Sequence, residues 1–292
     1  MVIQWFPGHM AKATREVKEK LKLVDIVFEL VDARCPLSSH NMYLDEVVKD
    51  KKKIIIFNKI DLCDRKETAK WKNYFENKGY VVVYTDAKNS NNLNKVIDKA
   101  KEELAEKIAR QVAKGIKPRA IRSMVIGVPN VGKSTFINKL IKKNVANTAN
   151  KPGVTKKQQW LKLNKDIELL DTPGILMPKF DNQEIGKKLS LIGSIKDDIT
   201  PLDDVSLYLI ELLKNNYLEN LNNHYKLNVK AEDENLTIME KIAEKRFKKI
   251  GGDYDYDSTI KLLIQDFRTQ KFGLITLDNY SDLLENEGKN EN

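Results

Sequence analysis

The sequence predicts an α/β fold with a doubly wound, mostly parallel sheet, followed by a small all-α domain. Up to Gly174, apolar β-branched runs of strand length alternate with helical stretches, which is typical of parallel sheets covered by helices on both faces. From Asp204 onward, apolar residues recur at helical spacing without a convincing strand. The predicted divisions are 1–178, 179–283 and a tail, 284–292, that we expect to be disordered.

Six segments are predicted as strands. Four are buried apolar runs: Asp25–Asp32, Lys53–Lys59, Tyr80–Asp86 and Ser123–Val128. Two more, Gln158–Leu163 and Ile167–Asp171, flank the turn sequence NKD and are typical of a hairpin. Helices are predicted between strands at Leu93–Val112 and Lys133–Lys142, and in the second part near 204–213, 236–250 and 258–270.

Composition favours a polyanionic partner and argues against several other classes of protein. The 51 Lys plus Arg residues outnumber the 42 Asp plus Glu residues, for a net charge of +9 over 292 residues. Cys35 and Cys63 form no C-x-x-C pair, and no histidine stands at metal-ligand spacing from them, so neither a disulfide framework nor a zinc site is expected. The chain shows neither an apolar run of about twenty residues nor signal-peptide features, which predicts a cytoplasmic protein without membrane association. We also expect it to be a monomer.

The stretch GVPNVGKS, residues 127–134, has the composition and context of a phosphate-binding loop. It follows a predicted strand and precedes a predicted helix, so backbone N–H groups can surround phosphates. Lys133 is expected to reach the β- and γ-phosphates, and Ser134 to place its hydroxyl on Mg²⁺.

Two later segments fit the remaining phosphate and metal contacts. The sequence DTPG ends a predicted strand, where Asp171 can hold Mg²⁺ through water and the Gly174 N–H can approach the γ-phosphate. The sequence KPGVT offers Thr155 as a second hydroxyl for Mg²⁺. Alone, DTPG is also compatible with an ordinary turn, but its position after the phosphate-binding loop favours the nucleotide role.

Two other motifs indicate recognition of guanine. In NKID, Asp61 follows a strand and can accept the N1–H and 2-amino group of guanine, donors that adenine lacks in that geometry. In TDAK, at the end of the next strand, a backbone N–H beside Asp86 and Ala87 can meet guanine O6. These motifs precede the phosphate-binding loop, whereas ordinary GTPases carry them after it. The cyclic order of all the motifs is unchanged, so the sequence predicts a circularly permuted P-loop GTPase.

With these motifs, the segments WFPGHMAKA, VDARCPLSSHN and KFGLITLD make the chain resemble the circularly permuted GTPases of ribosome assembly, the ribosome biogenesis GTPase A family. The resemblance covers almost the whole chain. It departs at TDAK, where Asp86 replaces a common serine while Ala87 and Lys88 are kept. The candidate GTP-binding residues are Asn58, Lys59, Asp61, Asp86, Ala87, Asn130, Val131, Gly132, Lys133, Ser134, Thr135 and Gly174.

The resemblance implies a function. It implies a GTPase that acts on a late precursor of the large (50S) subunit and contacts rRNA and ribosomal proteins. Because residue 175 is Ile and not Gln, we expect hydrolysis to be slow alone and stimulated by the ribosomal subunit. The resemblance also implies that the helical domain binds RNA, that His9 joins Lys133 as a catalytic residue, and that Asn130 is associated with a K⁺ ion. Alternatives stay open: His9 capping or packing the first helix, and Asn130 serving loop conformation.

Other features carry further expectations. Ile175 follows DTPG, where many signalling GTPases have a Gln that orients water, so another group must do so. Within DARCP, Arg34 is expected to form an ion pair that shapes the loop, and Cys35 not to act as a nucleophile. The basic stretch 241–250 is expected to be an amphipathic helix facing phosphates. A scaffold with a vestigial GTP fold and a P-loop ATPase remain competing functions, the first disfavoured by the intact motifs and the second by Asp61.

Overall fold

The structure is a computed structural model, which describes residues 7–141, 160–163, 166–171, 182–249 and 251–284. The chain divides into two compact units. The first takes Gln4–Lys179 and Asp278–Asn292, and the second takes Met1–Ile3 and Phe180–Leu277.

The described residues of the first unit contain one six-stranded sheet. Its strands are β1 Ile26–Asp32, β2 Lys52–Asn58, β3 Val81–Tyr84, β4 Ile121–Ile126, β5 Trp160–Lys162 and β6 Ile167–Asp171. They are ordered β3-β2-β1-β4-β6-β5, and every neighbouring pair is parallel except the β5–β6 hairpin. The chain runs outward from β1 to β3 and then returns to the other side of β1, so the order reverses between β1 and β4. Such a reversal opens a crevice at the carboxyl ends of the strands.

Helices of the first unit connect and cover these strands. They are α1 Pro7–Leu21, α2 Pro36–Ser39, α3 Met42–Val48, α4 Arg65–Asn77, α5 Leu93–Ala113 and α6 Lys133–Ile141. All seven residues of β1 are buried, as are Ile54–Asn58 of β2. Burial on both faces explains why these strands are almost continuously apolar in sequence.

The described part of the second unit is helical. Its helices are α7 Gln183–Leu191, α8 Leu202–Asn216, α9 Leu218–Tyr225, α10 Asn235–Arg246 and α11 Tyr256–Arg268, with a short 3₁₀ turn at Asp197–Ile199. Helix α8 packs against the other four helices and contributes Leu209, Ile210 and Leu213 to the core. The predicted fold class, a doubly wound sheet followed by an all-α part, is therefore confirmed. Within the described residues, no helix has the length and apolar character needed to cross a membrane.

Two boundaries differ from the sequence expectation. Helix α10 ends at Arg246, and Phe247 is extended at φ −132° and ψ 154°, so the helix does not continue across the basic stretch. The Phe247 N–H donates to the Ala243 carbonyl at 2.8 Å and so closes the last turn of the helix. Residues 278–283, which the sequence grouped with the helical part, belong to the first unit. Residues 285–292 of the expected tail and Ile250 lie outside the described residues.

Candidate nucleotide-binding site

The loop between β4 and α6 depends on two glycines. Gly127 has φ +147°, and a Cβ atom there would lie 2.4 Å from the carbonyl oxygen of Leu30. Gly132 has φ +95°, and a Cβ atom there would lie 2.5 Å from Nδ2 of Asn58. Both distances are below any ordinary contact, so the close approach of the loop to β1 and β2 requires glycine.

Asn58 joins the three predicted nucleotide-binding segments. Its Nδ2 donates to the Val131 carbonyl at 2.8 Å, inside the loop before α6. Its Oδ1 accepts from the Thr85 hydroxyl and from the Ala87 N–H, both at 3.1 Å. The side chain is 1% exposed. NKID, TDAK and the phosphate-binding loop, separated by up to 73 residues, are thus held together by one buried amide.

Lys59 forms a second connection between the same parts. Its ammonium group donates to the Asn130 carbonyl at 2.7 Å and to Asp32 Oδ2 at 2.9 Å. Asp32 ends β1 and pairs in register with Asn58 at the end of β2. The adjoining turn is closed by the Leu62 N–H, which donates to the Lys59 carbonyl at 2.9 Å. The lysine of NKID therefore links the crevice at the ends of β1 and β2 to the loop after β4.

Asp32 is a fully buried carboxylate held by two cations. The Arg34 guanidinium donates to both of its oxygens at 2.9 Å, and the Arg34 N–H donates at 3.1 Å. Burial alone would raise the pKa of Asp32, but Arg34 and Lys59 hold this pKa well below its usual range. The ion pair expected for Arg34 is confirmed, with Asp32 as its partner. Asp61 is half-buried and interacts electrostatically with Arg34, helping to raise the arginine's pKa.

Lys133 lies at the first position of α6 and is folded over its own loop. Its ammonium group donates to the carbonyls of Gly127 at 3.0 Å and Val128 at 2.9 Å, and the residue is 8% exposed. Ser134 and Thr135 follow in the first turn of α6, both half-buried. The start of a helix concentrates unpaired N–H groups, so the predicted phosphate-binding residues stand where an anion is favoured.

Asp86 shapes the TDAK loop from within. Its carboxylate accepts from the Asn89 N–H at 3.0 Å and from Asn89 Nδ2 at 2.6 Å, and the residue is 3% exposed. Its backbone also pairs with Asn91. The aspartate that replaces the common serine thus fixes a turn, while the Ala87 N–H is directed toward Asn58. Contact of this loop with guanine O6 stays a prediction.

Asn130 adopts the left-handed backbone conformation, with φ +61°. Asn is one of the few residues that visit this region at low cost, so the conformational interpretation of Asn130 has direct structural support. The K⁺ interpretation stays a prediction beside it.

Several predicted site residues are placed only partly or not at all. His9 lies in α1 and Asp171 ends β6, but their side chains are outside what the structure describes. Asp171 pairs with Val125, so its backbone lies beside the strand that leads into the phosphate-binding loop. Thr155 and Gly174 fall outside the described residues.

A buried ion cluster near the same strands was not predicted. The His40 Nδ1 lies 3.0 Å from Glu29 Oε1, its Nε2 lies 2.9 Å from Asp45 Oδ2, and the Lys53 ammonium contacts both carboxylates. Although Glu29, His40 and Asp45 have metal-ligand chemistry, Lys53 and a protonated His40 balance the two carboxylates, so the cluster is neutral without a metal. Burial would lower the pKa of His40, but Glu29 and Asp45 raise it to about 9.

Both cysteines are buried. Cys35 is completely buried at the start of α2. Burial also raises the pKa of the Cys63 thiol to about 11, which keeps it protonated near neutral pH.

The fold and the assembled motifs define a class: circularly permuted P-loop GTPases, with the guanine-type motifs before the phosphate-binding loop. The chain matches the RsgA GTPase family model over residues 21–181 and the 50S ribosome-binding GTPase model over residues 122–245. It is 48% identical to ribosome biogenesis GTPase A of Bacillus licheniformis, covering 97% of this chain and 100% of that protein. For the Bacillus pumilus protein of the same name the identity is 49%, covering 95% and 99%.

Comparison with solved structures points to the same family. GNP-bound YlqF from T. maritima superposes with a TM-score of 0.63 at 28% identity, covering 92% of this chain and 98% of that one. The chain belongs to the ribosome biogenesis GTPase A family. It is a GTP-hydrolysing enzyme of ribosome biogenesis, and its nucleotide is associated with a divalent metal, typically Mg²⁺.

Proposed function

We propose that the protein is an assembly factor that binds the precursor of the large ribosomal subunit and its rRNA, and promotes a late step of maturation. The proposed binding of GTP is supported by the hydrogen bonds of the Asn58 side chain, which connect both guanine-type motifs to the phosphate-binding loop. The ribosomal part is supported by the match to a 50S ribosome-binding GTPase model and by the net charge of +9.

The guanine base is recognised at the carboxyl ends of β2 and β3. Asp61 accepts the N1–H and the 2-amino group, while a TDAK backbone N–H meets O6. Asn58 contributes by orienting Ala87 and the loop, because its own polar atoms already bond to protein groups. Asp32 and Asn130 hold the Lys59 ammonium group, which favours packing of the Lys59 aliphatic stem against the face of the base.

The phosphates lie against the start of α6. Loop N–H groups and Lys133 stabilise the charge on the β- and γ-phosphates, for which Lys133 exchanges its present carbonyl partners. Ser134, Thr155 and Asp171 would hold Mg²⁺, which fits an oxygen donor set and supplies neutralisation of the developing charge when bound. The Gly174 N–H completes the contact to the γ-phosphate.

The attacking water needs a group other than residue 175, since Ile175 has no polar atom to orient it. We assign this role to His9, because an imidazole can orient or polarise water near neutral pH. Asn130 is assigned a K⁺ ion that supplements positive charge near the phosphates. Matched hydrolysis rates in K⁺ and Na⁺ buffers test the ion, and equal rates count against it.

The helical unit supplies an RNA-binding surface at the end of α10. Lys245, Arg246, Lys248 and Lys249 are all exposed there. The Arg246 guanidinium lies 5.2 Å from the centroid of Tyr225, and the Lys249 ammonium lies 4.4 Å from the centroid of Tyr254. Cations supported on aromatic rings beside a chain turn suit phosphate contacts, even though the helix ends before Phe247.

The decisive experiment is co-sedimentation with precursor and mature large subunits in GTP, GDP or a non-hydrolysable analogue. We expect preferential binding of the precursor with the GTP analogue. A chain that hydrolyses GTP but sediments with neither particle in any nucleotide state would contradict the proposed partner.

A further inference from the structure

We propose that Asp278 is a positioning residue for guanine recognition, and that it acts through a C-terminal strap formed by residues 278–284. The inference rests on the guanine-binding role proposed above for Asn58 to Asp61. The strap follows Leu277, the last residue of the helical unit, and is part of the first unit.

Asp278 caps α2 across 240 residues of sequence. Its Oδ2 accepts from the Ser38 N–H at 2.8 Å, and its Oδ1 accepts from the Ser38 hydroxyl at 2.5 Å. The first N–H groups of a helix have no partner inside the helix, and the residue before α2, Cys35, forms no side-chain cap. Asp278 is 2% exposed, so this contact is shielded from water.

Helix α2 in turn fixes Asp32. The residue after Ser38, Ser39, donates its hydroxyl to the Cys35 carbonyl at 2.6 Å and accepts the Asp32 N–H at 2.9 Å. Asp32 then holds Lys59 of NKID through its carboxylate. The path from the strap to the guanine motif therefore consists of buried hydrogen bonds, the peptide link from Ser38 to Ser39 and one ion pair.

The strap also fixes the helix that follows NKID. The Trp71 indole N–H donates to the Asp278 carbonyl at 2.8 Å, and the Tyr280 N–H donates to Glu67 Oε1 at 2.5 Å. The Tyr280 ring packs edge-on against Trp71, with centroids 5.2 Å apart. Trp71 and Glu67 lie in α4, which begins four residues after Asp61, so the strap restrains the helix that follows the guanine motif as well as the end of β1 that pairs beside it.

The hydrophobic core extends to the strap. Tyr280 and Leu283 pack against a buried cluster that includes Phe57, Ile60 and Trp71. Phe57 and Ile60 surround the Asn58–Lys59 pair in sequence. Packing and hydrogen bonding thus act on the same short segment, which carries the side chains proposed to read the base.

The test compares affinities for GDP and inosine diphosphate, which lacks the 2-amino group that Asp61 is proposed to accept. In the full chain, we expect Asp278→Ala to weaken GDP binding about tenfold and to reduce the preference for GDP over inosine diphosphate. Asp282→Ala is the matched control, because Asp282 is an exposed carboxylate of the same strap. Loss of stability alone would not change the ratio of the two affinities.

Asp278→Asn keeps one acceptor oxygen for Ser38 and should restore part of the preference. Equal affinities and ratios for Asp278→Ala and Asp282→Ala would overturn the proposal. If Asp278→Ala does not fold, Asp278→Asn and Trp71→Phe are measured in its place. An unchanged preference for GDP over inosine diphosphate in both variants would overturn the proposal. If the wild-type chain does not prefer GDP over inosine diphosphate, the proposed guanine-binding role is wrong. If the wild type prefers GDP and Asp278→Ala keeps the same affinity and preference, only the proposed role of the strap is wrong.

Discussion

Gly132 and Asn58 are packed so closely that a single methyl group cannot be added between them, since a Cβ atom on Gly132 would lie 2.5 Å from the Asn58 amide nitrogen. The glycine of the phosphate-binding loop therefore also serves the guanine motif. Its absence of a side chain leaves room for the amide that connects the loop to NKID and TDAK.

Gly132→Ala should weaken GDP binding by about tenfold or more, because the new methyl group displaces Asn58 from hydrogen bonds worth about 1 kcal/mol each. The left-handed backbone adds about 1–2 kcal/mol of instability. Gly115→Ala is the matched control, since Gly115 has φ +74° and open space around its Cβ position. Calorimetric titration with GDP checks the result; equal losses of affinity in both variants would contradict the shared packing.

Asp61→Asn should change base preference from guanine to xanthine nucleotides. The amide can donate to the 2-oxygen of xanthine but cannot accept both guanine donors. Hydrogen bonds to a charged group contribute about 1.5–3 kcal/mol, so the ratio of GDP to xanthosine diphosphate affinities should change by at least about tenfold. Asp282→Asn, an exposed aspartate, should keep the wild-type ratio. Unchanged preference in Asp61→Asn would remove Asp61 from the base site.

The local motifs were predictable from sequence, because the phosphate-binding loop, NKID and TDAK are short patterns with fixed residue types. The Asp32–Lys59 pair was predictable in principle, since Asp32 ends one strand, Lys59 follows its parallel neighbour, and the ends of such strands meet. No spacing pattern connects Asp278 with Ser38, because their contact depends on how the chain returns after the helical unit. The early end of α10 could not be predicted, because the apolar periodicity of residues 236–250 continues past Arg246 and no glycine or proline marks the end of the helix.

Stability should depend on pH through His40 and Glu29. The pKa of His40 rises from 6.5 to about 9, so its contribution is complete below pH 6.5 and is lost as pH rises through 9. The pKa of Glu29 falls from 4.5 to about 2, so its contribution is complete above pH 4.5 and is lost toward pH 2. The charged or titratable groups in direct contact are Asp45, Lys53 and Tyr80.

Urea unfolding of wild type and His40→Gln across pH 5–10 measures this dependence. The stability difference between them should be largest below pH 6.5 and shrink by on the order of 3 kcal/mol by pH 10, since each pKa unit corresponds to about 1.4 kcal/mol. His224→Gln, in the helical unit, is the control. A difference that stays constant over this range would contradict a protonated His40 in the folded state.

His9→Ala should lower particle-stimulated GTP hydrolysis by on the order of a hundredfold while leaving affinity for a GTP analogue unchanged, because positioned acid–base groups contribute at least that factor. Lys12→Ala is the control, as Lys12 is exposed on the same helix. Single-turnover rates on saturating precursor subunits check it. An unchanged rate with intact nucleotide binding would leave His9 with a packing or capping role in α1.

The circular permutation places DTPG, the segment that we propose contacts the γ-phosphate, next to the helical unit in the chain. In the usual order, the segment after DxxG continues inside the nucleotide domain, whereas here the second unit begins at Phe180, six residues after Gly174. Ordering of that segment by the γ-phosphate and Mg²⁺ should therefore bias RNA binding. We expect the GTP-analogue form to bind the precursor subunit more tightly than the GDP form by about 1–3 kcal/mol, a typical coupling energy.

Particle affinity should also fall steeply with salt if Lys and Arg meet rRNA phosphates, because binding then releases counterions. Hydrolysis should be slow without the particle, since Ile175 cannot orient water, and faster with it, because we expect the particle to position DTPG and His9 at the γ-phosphate. Thermodynamic reciprocity governs only the binding energies, so the difference in particle affinity and the acceleration of hydrolysis need separate measurements. Equal affinities of the GTP-analogue and GDP forms for the precursor subunit would contradict the coupling. A hydrolysis rate that saturating precursor does not raise would contradict the activation. The two outcomes are independent, because the first concerns binding of the particle and the second concerns the rate of hydrolysis.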